Sequence, residues 1–214
     1  MVASVKIDFV SDISCPWCAI GLKALQAALQ NLRESVVADL HFQPFELNPD
    51  MGPDGQDIAE HIAQKYGFSQ QQIDQAQQMI RARGAQLGFE FNLRSRSRIY
   101  NTFDAHRLLH WAGLEEAQLK LKQALLRAYF TEGLNVSDHA QLTAIAARVA
   151  LDPKGAAQIL ASDRYGAEVR SAEQFYRSQG INAVPAIILN DRHLIEGGQP
   201  VEIFERALRQ VAAA

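Results

Sequence analysis

The feature that most constrains this chain is a pair of cysteines, Cys15 and Cys18, separated by a Pro-Trp dipeptide. They are the only two cysteines among the 214 residues. The segment from Lys6 to Val10 is short and β-prone, and apolar residues recur at helical spacing from Ala19 to Leu32. The pair therefore lies where a predicted strand passes into a predicted helix.

This position favours thiol chemistry. A cysteine at the start of a helix faces unpaired backbone N–H groups and the positive end of the helix dipole, which favour the thiolate. We expect Cys15 to attack a substrate disulfide, and Cys18, one turn further in, to resolve the mixed disulfide. Between them, Pro16 fixes φ and Trp17 adds an apolar surface where substrate would bind. Asp12 is a candidate both for capping this region and for influencing thiol protonation.

A zinc clip is the alternative interpretation of the pair. Zinc needs about four ligands, and the chain has no third cysteine. His106 and His110 have finger-like spacing, but they lie too far along the chain from Cys18. They are more simply explained as partly buried histidines on an amphipathic helix, so we predict no metal site.

Composition narrows the possible partners. The formal net charge is −3, which does not favour binding to nucleic acid or to an acidic membrane surface. The N-terminus shows no basic segment followed by a long apolar core, and no stretch approaches the roughly 20 apolar residues of a membrane span. We therefore expect a cytoplasmic protein, where a lone cysteine pair is more often catalytic or metal-binding than structural.

The rest of the chain predicts an α/β protein. A second strand is expected between Val36 and Leu47, and the pattern from Gln56 to about Gln179 is nearly all helical. Strand character returns at Pro185–Leu189, and Asn190-Asp191 is a turn signal for a hairpin. A final helix is expected from Pro200 to Val211. The predicted order is β-α-β, a helical block, and then α-β-β-α.

At this point the chain resembles a known family. The cysteine pair after the first strand, with Val184-Pro185 before a late strand, resembles the thioredoxin superfamily, and the long helical block resembles its DsbA-like branch. The segment from Ser11 to Gly21 is most similar to the FrnE-type oxidoreductases of that branch. Further matches occur at Phe45–Pro49, Asn101–Arg107 and Gly197–Pro200.

The resemblance implies a thioredoxin fold with a large all-helical insertion. Residues 1–55 and 165–214 would form the thioredoxin-like domain, and residues 56–164 the inserted helical domain. It also implies that Pro185 is cis and packs against the cysteines, and that the backbone of Val184 pairs with an extended substrate segment. Asn48 and Asn101 lie in segments that approach the substrate pocket in related isomerases, although a capping or turn role is an equal alternative.

The function implied is thiol–disulfide exchange on protein or small-molecule disulfides. The alternative is a glutathione-dependent isomerase or transferase, similar to 2-hydroxychromene-2-carboxylate isomerase or kappa-class glutathione transferase, although Cys18 argues against it. A third hypothesis is a non-catalytic binding module or chaperone, in which the helical block would offer a surface for partners. No bound cofactor is expected, glutathione is a candidate redox co-substrate, and a homodimer is an open alternative. Because Trp17 stands where strongly oxidising relatives have histidine, we expect a more reducing couple.

A run of arginines remains ambiguous. Arg94, Arg96 and Arg98 alternate with serines. A solvated loop face is the default interpretation, and an anion site for a carboxylate such as that of glutathione is the sharper one.

Overall fold

The computed structural model describes residues 2–93 and 96–213. Within them lie six strands: β1 (Ala3–Ser11), β2 (Val36–Pro44), β3 (Gln56–Asp57), β4 (Arg98–Ile99), β5 (Ala186–Leu189) and β6 (His193–Glu196). The same residues form nine helices: α1 (Pro16–Asn31), α2 (Ile58–Tyr66), α3 (Gln70–Gln86), α4 (Phe103–Leu114), α5 (Gln118–Phe130), α6 (His139–Arg148), α7 (Pro153–Leu160), α8 (Gly166–Ser178) and α9 (Val201–Ala212).

A four-stranded mixed sheet forms the base of the molecule, in the order β2-β1-β5-β6. Strand β1 pairs parallel with β2 and antiparallel with β5, so that Phe9 lies opposite both Phe42 and Ile187. The β5–β6 hairpin turns through Asn190 and Asp191, whose φ values are 49° and 57°. These are the positive φ values that the tight hairpin turn predicted at this dipeptide requires.

Helices cover both faces of this sheet at the active-site end of β1, where Phe9 and Val10 point to opposite sides. Phe9 is fully buried in the main core together with Phe204 and Leu208 of α9 and the apolar face of α1. Val10 points the other way and packs in a second cluster with Tyr176 of α8. The active-site end of β1 is thereby held between two layers of helices.

The helices from α2 to α7 lie between β2 and α8 in the chain. Their buried residues join the same continuous core as the sheet, through α5 above all, where Leu121, Leu125 and Tyr129 are fully buried. The thioredoxin fold with a helical insertion is confirmed. The domain boundaries at 55/56 and 164/165 stay a prediction.

Residue types typical of helix starts predicted the N-termini of two helices correctly. Ser69 caps α3 through a reciprocal capping box with Gln72. Asp152 caps α7, and Pro153 takes its first position. Helix α1 begins at Pro16, three residues before the apolar pattern predicts, because the pattern does not register a helical first turn that holds the cysteines.

One prediction about the insertion was wrong. Strands β3 and β4 pair antiparallel within the region expected to be nearly all helical. Gly55 permits this pairing, since a Cβ there would lie 2.3 Å from the carbonyl oxygen of Ile99. The Arg98 guanidinium then donates to the carbonyl oxygens of Asp54 and Gly55. Two-residue strands are too short to leave an alternating pattern in the sequence.

Across residues 2–93 and 96–213, none of the helices combines the length and apolar character needed to cross a membrane.

Candidate active site

The two cysteines lie at the first turn of α1. Cys15 is the N-cap residue, with extended backbone, and Pro16 follows in the first helical position. The Cys18 N–H donates to the carbonyl oxygen of Cys15 at 3.1 Å. Both cysteines are free thiols, with Cys15 4% exposed and Cys18 fully buried. The structure is therefore that of the reduced form, with only Cys15 near the surface.

The loop before β5 closes over these thiols. The Val184–Pro185 peptide bond is cis, as predicted. The Cys15 thiol donates to the carbonyl oxygen of Val184 at 3.5 Å. The ring of Pro185 packs on Gly21, where a Cβ would lie 3.2 Å from Pro185 Cγ. The first turn of α1 and the cis-proline loop are thus in direct contact.

A second close approach fixes the other side of the turn. A Cβ on Gly198 would lie 2.9 Å from the carbonyl oxygen of Trp17, so the loop before α9 packs directly on the backbone of the Cys-Pro-Trp-Cys segment. Trp17 itself is partly exposed beside Cys15. The contact of Trp17 with substrate beside the nucleophile stays a prediction.

Asp12 organises the turn that leads into the cysteines. Its carboxylate accepts from the Ser14 N–H at 3.2 Å, the Ser14 hydroxyl at 2.9 Å and the Leu47 N–H at 2.8 Å. Its carbonyl oxygen accepts from the Cys15 N–H at 3.4 Å. The carboxylate of Asp12 thus holds the turn that leads into the cysteines through Ser14 and Leu47, which lie outside α1. Its influence on the protonation of the thiols stays a prediction.

The buried side chain of His106 faces this carboxylate. Its Nε2 lies 3.6 Å from Asp12 Oδ1, which is an electrostatic contact and too long for a hydrogen bond. Burial alone would raise the pKa of Asp12, but His106 and the Leu47 N–H outweigh it and lower the pKa to about 2. Asp12 is therefore ionised at neutral pH even though it is fully buried.

Cys18 has the opposite electrostatic setting. Burial, together with the hydrogen bond and charge of Cys15, raises the pKa of the Cys18 thiol well above its usual range. The charge of the buried Lys122 opposes this rise. The inner thiol therefore keeps its proton at neutral pH until another group removes it.

The rim of the site comes from the α2 end and the loop after β2. Lys65 donates to the carbonyl oxygen of Leu47 and to Asn48 Oδ1, both at 2.7 Å. Tyr66 is half exposed at the end of α2, and burial and then the charge of Cys15 raise the pKa of its hydroxyl. The side-chain oxygen of Asn101 accepts a hydrogen bond from the Phe103 N–H at 2.9 Å, which stabilises the first turn of α4. Substrate contacts by the two asparagines stay predictions.

The remaining candidates have structural contacts. Arg94 lies outside the described residues. Arg96 stacks on the rings of Tyr129 and Phe130, and the Arg98 guanidinium donates to backbone carbonyl oxygens, so Arg96 and Arg98 have structural contacts. His110 packs against Tyr165. In the described part of the chain, no cluster of three or more histidine, cysteine or acidic side chains could hold a metal ion.

The sequence reasoning missed Lys122, Tyr66 and Glu46. Lys122 had a visible signal: it lies three and four residues before the core positions Leu125 and Leu126, and so on the apolar face of α5. Tyr66 and Glu46 had none, because they reach this end of the molecule only through the tertiary fold.

The comparisons with known proteins agree with this geometry. Residues 6–209 match the model of the DSBA-like thioredoxin domain. The crystal structure of a probable DsbA oxidoreductase from Streptomyces coelicolor is 31% identical, covering 98% of this chain and 90% of that one, with a TM-score of 0.90.

Two more distant structures share the fold. The cytosolic disulfide reductase DsbM from Pseudomonas aeruginosa with glutathione has a TM-score of 0.66 and 15% identity, over 98% of this chain and 100% of that one. A 2-hydroxychromene-2-carboxylate isomerase has a TM-score of 0.69 and 14% identity, over 96% and 95%. With a family match over nearly its whole length and a cysteine pair at the helix start, the chain belongs to the DsbA-like thioredoxin family.

Proposed function

We propose that the protein is a thiol–disulfide oxidoreductase that uses Cys15 and Cys18 as a dithiol/disulfide couple. The observation that carries the proposal is the placement of Cys15 at the N-terminus of α1, with its sulfur 3.5 Å from the carbonyl oxygen of Val184. Cys18 is fully buried behind it. One sulfur is thus available to a substrate, and the other can react only with an adduct on the first.

The reaction takes two exchanges. The Cys15 thiolate attacks one sulfur of the substrate disulfide, so that a mixed disulfide forms and the other substrate sulfur leaves as a thiolate. Cys18 then attacks Cys15, forming the Cys15–Cys18 disulfide and releasing the second substrate thiolate. The substrate gains two electrons and the protein loses two. The reverse sequence oxidises a dithiol.

The surroundings of Cys15 suit an extended substrate. The backbone of Val184, next to the cis-proline, offers main-chain groups, while Pro16 and Trp17 offer an apolar edge. Tyr66, half exposed at the end of α2, is a further candidate for an apolar contact with substrate. These are substrate-binding roles that the proposal assigns, together with Asn48 and Asn101 on the rim.

The enzyme type, its location and its co-substrate are proposed from the sequence resemblance and from the proteins of similar structure. We assign a FrnE-type enzyme of the cytoplasm that acts on protein or small-molecule disulfides, with glutathione as redox co-substrate and no bound cofactor. Support comes from the Pseudomonas protein of the same fold, a cytosolic disulfide reductase whose structure contains glutathione. A reducing compartment favours reduction or isomerisation over net oxidation. A homodimer stays a prediction.

The test is an equilibration of the purified protein across a glutathione redox series, with the cysteine state read by alkylation and mass spectrometry. The expected result is a two-electron transition between the dithiol and the Cys15–Cys18 disulfide. Cys15→Ser should reduce exchange activity to the background rate. Cys18→Ser, the matched variant, should still form an adduct at Cys15 but should not release it. Full activity in Cys15→Ser would refute the proposal.

The same experiment examines the glutathione-dependent isomerase or transferase. Its support is the shared fold with the 2-hydroxychromene-2-carboxylate isomerase. That reaction needs no resolving thiol, so the protein would bind glutathione tightly, form no intramolecular disulfide and keep its activity in Cys18→Ser. This set of results would replace the oxidoreductase with the isomerase or transferase.

A further inference from the structure

The chain that follows β2 is held between α8 and the active-site turn. The Glu46 N–H donates to Oε1 of Glu173 at 2.9 Å, and the Glu46 carbonyl oxygen accepts from Nη2 of Arg177 at 2.9 Å. The next N–H, that of Leu47, donates to Oδ2 of Asp12 at 2.8 Å. Residues 46 and 47, which we call the rim segment, therefore join α8 to the turn that leads into the cysteines.

The side chain of Glu46 is fully buried, and its charge is only partly compensated. One guanidinium nitrogen, Nη1 of Arg170, donates to Oε2 of Glu46 and, at 3.1 Å, to Oε2 of Glu173. Within residues 2–93 and 96–213, Oε1 of Glu46 has no hydrogen-bond partner. Because two carboxyl groups share one donor atom and a buried oxygen is left without a donor, the geometry favours a proton on one of them.

Charged groups from α8, α2 and the active-site turn face Glu46 or adjoin the rim segment. They are Arg170, Glu173 and Arg177 of α8, Asp12 of the active-site turn, and Lys65 of α2, whose Nζ donates to the carbonyl oxygen of Leu47 at 2.7 Å. Burial, then the charge of Glu173 and last that of Asp12 raise the pKa of Glu46 to about 7, although Arg170 opposes the rise. The neutral and ionised forms are therefore both populated near neutral pH.

We propose that Glu46 is a pH-sensitive positioning residue for the active-site turn: its carboxyl group keeps the rim segment on α8 when protonated and drives it away when ionised. Ionisation places a second negative charge beside Glu173, and separation from α8 lets that charge reach water. The Leu47 N–H then leaves Asp12, so the turn loses a hydrogen bond and Cys15 is held less firmly. This regulation of the active site rests on the proposed function.

The first test measures hydrogen exchange of the Leu47 amide in the reduced protein by NMR from pH 6 to pH 8, corrected for the intrinsic exchange rate. Protection should fall about threefold in wild-type protein and stay constant in Glu46→Gln. The amide of Leu25, which is fully buried in α1, reports global unfolding. Glu168→Gln, which removes an exposed carboxylate from α8, is the matched control and should behave as wild type. Constant protection in wild-type protein, or an equal fall in Glu46→Gln, would overturn the proposal.

Glu173→Gln distinguishes charge repulsion from the loss of a contact. The variant keeps an oxygen that can accept from the Glu46 N–H but removes the negative charge beside the carboxyl group. Glu46 should then ionise on Arg170 without leaving α8, so the fall in Leu47 protection should disappear. A fall that persists in Glu173→Gln would contradict repulsion as the cause and overturn the proposal. Thermal unfolding verifies that the variants fold, and the wild-type amide profile decides alone if they do not.

The second test measures whether the motion reaches the nucleophile. Reduced protein is mixed with glutathione disulfide at each pH, and mass spectrometry gives the rate at which the adduct forms at Cys15. Wild type and Glu46→Gln should react equally fast at pH 6, and wild type should be about threefold slower at pH 8. A ratio of rates that does not change with pH would refute the positioning role. If neither protein forms the adduct or the Cys15–Cys18 disulfide at any pH, the proposed function fails and the positioning role fails with it, whereas the Leu47 amide still reports whether Glu46 moves the rim segment.

Discussion

Two buried carboxyl groups, those of Asp12 and Glu46, lie close to the backbone of Leu47, and their pKa values are displaced in opposite directions. In the active-site turn (residues 11–15), Asp12 faces His106 and accepts three hydrogen bonds, and its pKa falls to about 2. At the β2–α8 junction (Glu46, Arg170 and Glu173), burial and then the charge of Glu173 raise the pKa of Glu46 to about 7.

The difference lies in the local balance of charge. Glu46 and Glu173 both bind the single guanidinium of Arg170, which is half exposed and therefore screened by solvent. Asp12, in contrast, lies beside the buried His106 and accepts a hydrogen bond from the N–H group of Ser14. Burial alone thus does not decide whether a carboxylate ionises. The hydrogen-bond donors and neighbouring side chains available to each carboxylate decide it, and the active-site turn supplies Asp12 with more donors.

Asp12→Ala should have the largest effect on this comparison. The change leaves the buried N–H groups of Ser14 and Leu47 and the Ser14 hydroxyl without their acceptor, and it removes the carboxylate that faces His106. We expect a loss of about 3–4 kcal/mol of unfolding free energy. Urea unfolding at pH 7 measures it. Asp39→Ala, which removes an exposed carboxylate from β2, is the control and should cost under about 0.5 kcal/mol. Equal losses in both variants would contradict the role given to Asp12.

Acid should remove the Asp12 contribution without any mutation. The pKa of Asp12 is lower in the folded state than the usual 3.8, so the unfolded chain binds more protons between these values and stability falls as the pH falls. The expected loss is about 2 kcal/mol between pH 4 and pH 2. Asp12→Asn should lack this component. Parallel pH profiles for the wild-type protein and the variant would show that Asp12 does not titrate as described.

Ser14→Ala tests a single hydrogen bond of the active-site turn. It removes the hydroxyl that donates to Asp12 at 2.9 Å but keeps the backbone N–H contact. The expected cost is about 1 kcal/mol in chemical denaturation. Ser178→Ala is the control, because its hydroxyl bonds to the carbonyl oxygen of Phe175 at an exposed helix end, and a smaller loss is expected. A larger loss at Ser178 would reverse the ranking.

Much of this arrangement could be predicted from the sequence. The strand–helix junction placed Cys15 and Cys18, and the resemblance placed Val184 and Pro185 beside them. These are features of short segments, whose residue types and spacing carry the information. Asp12 was also within reach, because it lies three residues before Cys15 and its turn is local.

The groups that set the electrostatics were harder to predict. Lys122 and His106 come from helices more than 85 residues along the chain from the cysteines, and only the packing of α4 and α5 on β2 brings them to the site. The environment of the Glu46 carboxyl group depends on Arg170 and Glu173 of α8. Burial and charge balance depend on such distant partners, and a pattern of apolar spacing does not specify which partners meet.

Glu46→Gln should have the smallest effect and the opposite pH dependence. The folded pKa of about 7 exceeds the usual 4.5, so the folded state binds more protons in that window and stability falls as the pH rises through it. Because Arg170 is half exposed and solvent screens the cluster, we expect a change under about 1 kcal/mol between pH 5 and pH 8. Glutamine does not titrate, so the variant should lack this decline and gain stability relative to wild type at pH 8. An identical decline in both proteins would show that Glu46 is ionised throughout. The β2–α8 junction would then resemble the active-site turn, and the partners available to each carboxylate would no longer explain the difference between them.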